Sequence, residues 1–157
     1  MATYNAIKYN VDYAGKAGSL VPISDTTISS GDSNVILSID GTFDEHFIIF
    51  NAVHPSASNA DFGANFRSTG SSGNFNVGKQ TGFYRCTQEE NGSGETFAYQ
   101  SGKDVAGNSG SDFEIGSSLG NANHDGISGY MSIFNAGSTT FQKSFFIVAD
   151  ETHGGNI

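Results

Sequence analysis

The residues able to do chemistry are few, and none forms a complete catalytic or metal-binding pattern. Four histidines occur, His46, His54, His124 and His153, with no H-x-x-H or H-E-x-x-H spacing, and the one cysteine, Cys86, has no second thiolate, so no zinc pattern exists. Gly116 to Gly120 reads GSSLG and matches the G-x-S-x-G nucleophile elbow. That elbow requires a strand, a sharp turn and then a helix, and no helical pattern follows, so Ser118 reads as a turn residue. Asn121 to Gly126 reads NANHDG and resembles the opening of a calcium loop. Two of its three acid positions are neutral, and the position that should carry a bidentate Glu is Ser132, so the charge is too low for a tight site. Glu89 and Glu90 are adjacent, and neighbours on a strand point to opposite faces, which makes a poor acid/base pair. Asn91-Gly92-Ser93 matches a glycosylation acceptor and reads as a surface turn. Gly92-Ser93-Gly94 lacks the third glycine of a phosphate-cradling loop. The expectation is therefore no catalytic residue, no metal and no cofactor.

A softer kind of site remains open. Sugar-binding surfaces combine an aromatic platform with Asn, Asp or Gln around it. The candidates are Tyr84, Tyr99 and Tyr130, with Asn121, Asn123 and Asp125. The alternative for the tyrosines is packing at strand ends or interfaces, where an apolar ring with a polar tip is favoured. The chain has no Trp, which weakens the platform reading.

These residues must be positioned by strands. Ile, Val and Phe number 12, 7 and 13 against 3 Leu, and β-branched and aromatic residues favour strands. Apolar residues alternate with polar ones in several stretches: Ile7, Tyr9, Val11 and Tyr13; Val35, Leu37 and Ile39; Phe62, Ala64 and Phe66; Phe97 and Tyr99; Phe113 and Ile115. SGYMSIFN and TFQKSFFIVA add two strands near the end. Gly-rich turns separate them: STGSSGN, ENGSGE, SGKDVAGNSGS and SLGNANHDG. TFDEHFIIFNAVHP fits either a helix, through Phe43, Phe47 and Phe50, or a strand. Its β-branched content and its neighbours favour a central strand buried on both faces. There His46 reads as a satisfied structural imidazole. His54, held extended by Pro55, reads as a strand end.

The sequence thus predicts one all-β domain over residues 1–157, an antiparallel, jelly-roll-like β-sandwich, with residues 1–30 as an N-terminal arm or edge strands. The predicted core is a thin Phe/Ile cluster: Ile7, Val35, Leu37, Phe47, Ile49, Phe66, Phe97, Ile133, Phe145 and Ile147.

Composition narrows the function classes. Gly, Ser, Asn and Thr together make 67 of 157 residues, while Leu, Ile, Val and Phe make only 35, just enough for a core. A formal net charge of −9 without a basic stripe argues against nucleic-acid binding. No apolar run approaches the roughly 18 residues of a membrane helix. MATYNAIKYN lacks the apolar core of a secretory signal, and a single Cys excludes an internal disulfide, so the expectation is assembly in a reducing compartment, the host cytoplasm, or a fold that does not depend on redox chemistry.

The order of segments resembles a family of small β-rich structural proteins of tailed, especially marine, bacteriophages. The matching stretches are MATYNAIKYN, SIDGTFDEHFIIFNAVHP, GNFNVGKQTGFYRCTQEENG, FAYQSGKDVA and LGNANHDGISGYMSIFNAGSTTFQKSFF, nearly the whole chain. In the family these correspond to an acid-aromatic strand ending in His-Pro, an aromatic strand before an acidic loop, a Tyr-Gln-rich strand, an Asn/Asp-rich turn and a closing Ser-Thr-Thr-Phe-x-Lys strand. The chain departs from the family in two places. His46 stands where the family often has Tyr, and related proteins continue with further strands past Phe-x-Lys, whereas this sequence ends in Gly154-Gly155-Asn156-Ile157. The resemblance implies jelly-roll or sandwich domains of tail fibres or the capsid surface, and no catalytic residue.

The first functional expectation is accordingly a non-enzymatic virion component, made in the host cytoplasm and assembled on the particle exterior as capsid decoration or a tail-fibre part. Its partners would be itself, as a homo-oligomer, and other virion proteins, with no nucleic acid and no membrane insertion. The second is a carbohydrate-binding module for the host envelope. An enzyme such as a depolymerase ranks last, because no carboxylate pair has supporting context and no solenoid repeat is visible. One physical feature supports assembly. SFFIVAD, at 144–150, is the most apolar strand of the C-terminal half, and no further strand follows to pair beside it.

Overall fold

The computed structural model describes residues 20–68, 74–89, 92–107 and 110–152. The expected strand around Ile7, Tyr9, Val11 and Tyr13 lies outside them, as does His153. The described residues are all-β, with antiparallel pairing throughout and one short 3-10 turn, Ser101–Lys103. Seven strands form: β1 (Glu45–Val53), β2 (Ala60–Ala64), β3 (Tyr84–Thr87), β4 (Thr96–Tyr99), β5 (Phe113–Leu119), β6 (Gly126–Phe134) and β7 (Ser144–Thr152). They pair as a three-stranded sheet in the order β1-β6-β7 and two separate ladders, β2-β5 and β3-β4.

The period-two patterns explain most of these strands. Val, Ile and Phe fit a pleated, half-buried surface, and the Asn-, Asp- and Gly-rich stretches between them break it. In the three-stranded sheet, His46, Ile133 and Phe145 lie in one cross-strand row, Ile48, Met131 and Ile147 in the next, and Phe50, Gly129 and Ala149 in a third. These rows face inward, toward Phe113, Ile115 and Leu119 of β5 and Phe62 and Ala64 of β2. Phe113 stacks on Phe145 with ring centroids 4.7 Å apart, and Phe66 closes on both rings. Burying an aromatic or aliphatic side chain of this size contributes roughly 1.5–3 kcal/mol.

Glycine sets how closely these layers approach. A methyl on Gly116 would sit 2.5 Å from Ile127 Cδ1. Within the three-stranded sheet, one on Gly129 would overlap the Val148 carbonyl and lie 2.8 Å from Phe50 Cζ, so this glycine sets how closely neighbouring strands pack. Two irregularities re-aim the strands. The β1–β6 register shifts between Phe50 and Val53, where Ala52 has φ 50°. The β2–β5 register slips between Ala60 and Phe62, where Ser118 has φ 58° and its amide donates to Asp61 Oδ1 at 3.0 Å. An extra residue on one strand is a β-bulge. Ser118 therefore sits at a bulge inside β5, not in a turn between elements.

Other expectations are corrected too. Residues 33–40 form no strand, and Val35 and Leu37 are each 40% exposed, because the described chain offers them no pairing partner; Ile39 alone packs on the core. The TFDEHFIIFNAVHP segment is a strand, yet it is the sheet's edge rather than its centre, and it buries one face. Phe47, Ile49 and Phe97 are 43%, 69% and 73% exposed, since they fall on the outward face of their strands. Phe66, Ile133, Phe145 and Ile147 do belong to the core or pack against it, and Ile127, Met131, Leu119 and Val105 join them. His46 is buried, but neither ring nitrogen has a hydrogen-bond partner, and the nearest carboxylate, Asp40, stands 4.0 Å away. It is not the satisfied imidazole expected. β7 does lie at the edge of its sheet, and among the described residues no strand pairs with its far side.

Candidate functional site

The strongest concentration of exposed recognition groups is one face of the β3–β4 hairpin. Antiparallel pairing sets Tyr84 opposite Tyr99 and Cys86 opposite Phe97, so all four side chains share a face. Tyr84, Tyr99 and Phe97 are 64%, 52% and 73% exposed. The Tyr84 and Phe97 rings are nearly parallel, 12° apart with centroids at 6.0 Å, and Tyr84 and Tyr99 approach to 5.3 Å. Gly82 lies against the same rings, a would-be Cβ there standing in ordinary van der Waals contact with Tyr99 Cε2 and Tyr84 Cε2 at 3.9 and 4.0 Å.

Polar clasps hold this face in place. The Tyr99 hydroxyl donates to Asp104 Oδ2, and Asp104 Oδ1 accepts the Phe83 amide at 3.1 Å. On the opposite side of the hairpin, Arg85 Nη2 meets Glu151 Oε1 at 2.5 Å, while Glu151 Oε2 accepts the Ser117 amide at 3.2 Å. That arrangement anchors β3 to the end of β7 and to β5. Lys103, just after β4, meets Glu114 of β5 at 2.7 Å. The hydrogen bond to Glu114 holds the Lys103 ammonium above its ordinary pKa. Farther along the same loops, Lys79 is buried and donates to Asn65 Oδ1 at 2.7 Å; burial lowers its pKa, with Asp112 opposing.

The Asn121–Asp125 loop has a different character. Asp125 is buried, and its Oδ2 accepts the Ala122 amide at 2.8 Å. Its Oδ1 lies 3.5 Å from His124 Nε2. Asn121 Oδ1 accepts from Ser58 Oγ at 2.5 Å, and His54 Nε2 lies 2.8 Å from the Ala122 carbonyl. These bonds tie the loop to its own backbone and to the Ser58 and His54 segment, while Asp125 Oδ1 stays buried without a hydrogen-bond partner. Asn123 is exposed at the tip. Among the described residues, no three His, Cys, Asp or Glu side chains are grouped to hold a metal ion.

Tyr130 belongs to a third place. It lies on the outer face of the three-stranded sheet, its ring 5.1 Å from Phe47. In register, Phe47, Ser132 and Phe146 form one outer row, and Ile49, Tyr130 and Val148 the next. Phe146 and Val148 are 56% and 43% exposed. The six expected site residues are thus divided: Tyr84 and Tyr99 together, the Asn121–Asp125 loop apart, and Tyr130 on another sheet. Phe97, which completes the hairpin's aromatic face, is legible as the alternation partner of Tyr99, but it lies on the outward face and not in the expected core. The outer apolar rows are not legible because β1 is apolar on both faces and only its pairing with β6 tells them apart.

No family model, curated protein or solved structure matches this chain. No helix among the described residues is long and apolar enough to cross a membrane.

Proposed function

We propose that this protein is a non-enzymatic structural component of a bacteriophage particle's exterior, a capsid-decorating or tail-fibre protein that works inside an assembly. The observation that carries the reading is the outer face of the β1-β6-β7 sheet, which no second layer covers among the described residues, continuous with a β7 edge that no described strand pairs. Contiguous exposed apolar surface marks interaction sites, and natural proteins cover long apolar edge strands. Packing a neighbouring subunit there would complete the layers of a jelly-roll-like sandwich that the small ladders leave open. The segment resemblance supplies the particle context, and the net charge of −9 fits an exterior position away from packaged nucleic acid. Quantitative mass spectrometry of purified particles tests it. Hundreds of copies select decoration, a small multiple of three or six selects a tail part, and absence from the particle overturns the proposal.

A second reading, glycan recognition on the host envelope, is favoured by the exposed Tyr84–Phe97–Tyr99 face. The apolar C–H faces of a sugar ring suit the electron-rich face of an aromatic ring. Tyr84→Ala should abolish binding to host envelope polysaccharide in a titration while leaving the fold intact; equal binding by both proteins removes this reading.

A further inference from the structure

We propose that Lys79 and Asn65 join covalently: the Lys79 amine displaces ammonia from the Asn65 carboxamide to form an amide cross-link, and Asp112 carries the proton. This modification goes beyond the assembly reading and does not depend on it. Lys79 is 7% exposed, and its Nζ donates to Asn65 Oδ1 at 2.7 Å. Asn65 Nδ2 in turn donates to Asp112 Oδ1 at 2.8 Å. Amine, amide and carboxylate thus stand in one chain of contacts. A C=O bond is about 1.23 Å long, so a donor 2.7 Å from Oδ1, at any hydrogen-bond angle of about 90° or more, lies roughly 3.0–3.9 Å from Cγ. That range includes the near-attack separation of roughly 3–3.5 Å.

Three backbone segments meet to make this arrangement. β2 and β5 pair Ala64 with Phe113, so Asn65 and Asp112 fall opposite one another at the end of the ladder. The Phe66 carbonyl accepts the Val77 amide at 3.3 Å, which brings the Lys79 segment alongside. That segment is pinned from its other side. The Lys79 carbonyl accepts the Gly107 amide at 2.9 Å, and the Thr81 amide donates to the Val105 carbonyl at 2.9 Å. The orientation of the Asn65 amide follows from its neighbours. Oδ1 faces two donors, Lys79 Nζ and the Phe66 amide at 2.9 Å, while Nδ2 faces the Asp112 carboxylate and, at 3.4 Å, the Phe75 carbonyl. A buried ammonium ordinarily touches a counter-ion. Among the described residues, the acceptor that Nζ touches is a neutral amide. Burial lowers the pKa of this amine, with Asp112 opposing. The surroundings therefore favour the uncharged amine, the form with a lone pair able to attack.

The step balances without any other reagent. Neutral Lys79 Nζ attacks Asn65 Cγ, and the carbonyl π pair moves onto Oδ1, where the Phe66 amide donates to the developing charge. Asp112 takes a proton from Nζ and passes it to Nδ2. The carbonyl re-forms, the Cγ–Nδ2 bond breaks and ammonia leaves. One amine and one primary amide become one secondary amide and one ammonia, with no change of oxidation state. The product ties the end of β2 to the Lys79 segment and closes a covalent loop in the chain. Such a loop restricts the unfolded state, a gain for a domain with a thin core. The linked nitrogen no longer titrates, so the alkaline behaviour of the Lys79 amine belongs to the unlinked chain.

The test follows the full chain over time after refolding, by intact-mass spectrometry under denaturing conditions. The mass should fall from the sequence value by that of one ammonia molecule. Trypsin should then fail to cut after Lys79, and the peptide ending at Arg67 should be found joined through Asn65 to the one that contains Lys79. A folded chain that keeps its full sequence mass overturns the proposal. Loss of ammonia with Lys79 still cleavable also overturns it, because ring closure at Asn91-Gly92 loses the same mass without a cross-link. Lys79→Arg should keep its full mass. Asp112→Asn sits at an exposed position and keeps an acceptor for Asn65 Nδ2, so the fold should survive, which circular dichroism checks. It removes the proton carrier and should slow the mass loss on the order of 100-fold. Linkage at an unchanged rate in Asp112→Asn overturns the role given to Asp112. The presence or absence of the chain in particles leaves each of these outcomes unaltered, so this inference and the assembly reading fail separately.

Discussion

The two faces of the β1-β6-β7 sheet are built from the same kinds of residue and live in different surroundings. Inward, Ile48, Phe50, Met131, Ile133, Phe145 and Ile147 lie against β5 and β2. Outward, Phe47, Ile49, Tyr130, Phe146 and Val148 meet no second layer among the described residues. Apolar content does not separate the faces. What separates them is the β2–β5 ladder, which comes so close that a methyl at Gly116 would meet Ile127 of β6, while Gly63 lets β2 and β5 themselves approach, a methyl there lying 2.7 Å from the Phe113 carbonyl oxygen. Covering a sheet takes a layer that can come close, and among the described residues there is one such layer for two apolar faces. The outer face and the β7 edge are therefore where a partner gains most.

The largest contrast should come from deleting a ring on each face. Phe113, 2% exposed and stacked on Phe145, should cost about 3–5 kcal/mol as Phe113→Ala, a large share of a typical total of roughly 5–15 kcal/mol. Phe146→Ala, at 56% exposure, should cost within about 0.5 kcal/mol in the isolated chain. Urea denaturation of the two variants measures both, and equal losses would mean the faces have been assigned wrongly.

A smaller effect tests the close approach itself. Gly129→Ala forces a methyl against the Val148 carbonyl and Phe50, and overpacking of this kind typically costs about 1–3 kcal/mol. Gly102→Ala, with no atom within 4 Å of the added methyl, should be nearly neutral. The same melting experiment ranks the pair, and a neutral Gly129→Ala would show that β6 and β7 have room to spare there.

The smallest expected effect concerns the clasp between β4 and β5. Lys103 has its folded pKa raised above 10.5 by Glu114. Its contribution is fully present below the unfolded value and is lost as pH rises through the folded one, so stability should fall in the alkaline range above about pH 10.5. Lys79 acts oppositely: burial lowers its folded pKa, so stability gains as pH climbs through that value toward 10.5. Lys103→Gln should remove the alkaline loss and expose the Lys79 gain in a stability profile between pH 9 and 11. An unchanged profile would mean that the Glu114 contact does not persist in solution.

Much of the fold was legible because alternation survives in single stretches. Phe62, Ala64 and Phe66, or Phe113 and Ile115, report their face without help. What was hidden is nonlocal. Both faces of EHFIIFNAV are apolar, and only its pairing with Met131 and Ile133 reveals that His46 and Ile48 point inward. SNVILSID alternates well, yet alternation cannot supply a neighbour, and the segment stays unpaired. The site shows the same division. Tyr84 and Tyr99 could be placed together from turn spacing, since ENGSGE closes the hairpin through the Glu89 amide to the Ser93 carbonyl. Asn121 and Asp125 looked like ligand groups because the side chains that bind ions are also the ones that close turns.

Solvent footprinting of the free chain and of intact particles by hydroxyl radicals tests the central claim most directly. The account predicts that Phe47, Tyr130 and Phe146 are oxidised readily in the free chain below its association range and are shielded in the particle, while Phe113 and Phe145 are shielded in both. Equal oxidation of Phe47, Tyr130 and Phe146 in the free chain and in the particle would contradict it, because the outer face would then be open in the assembled state.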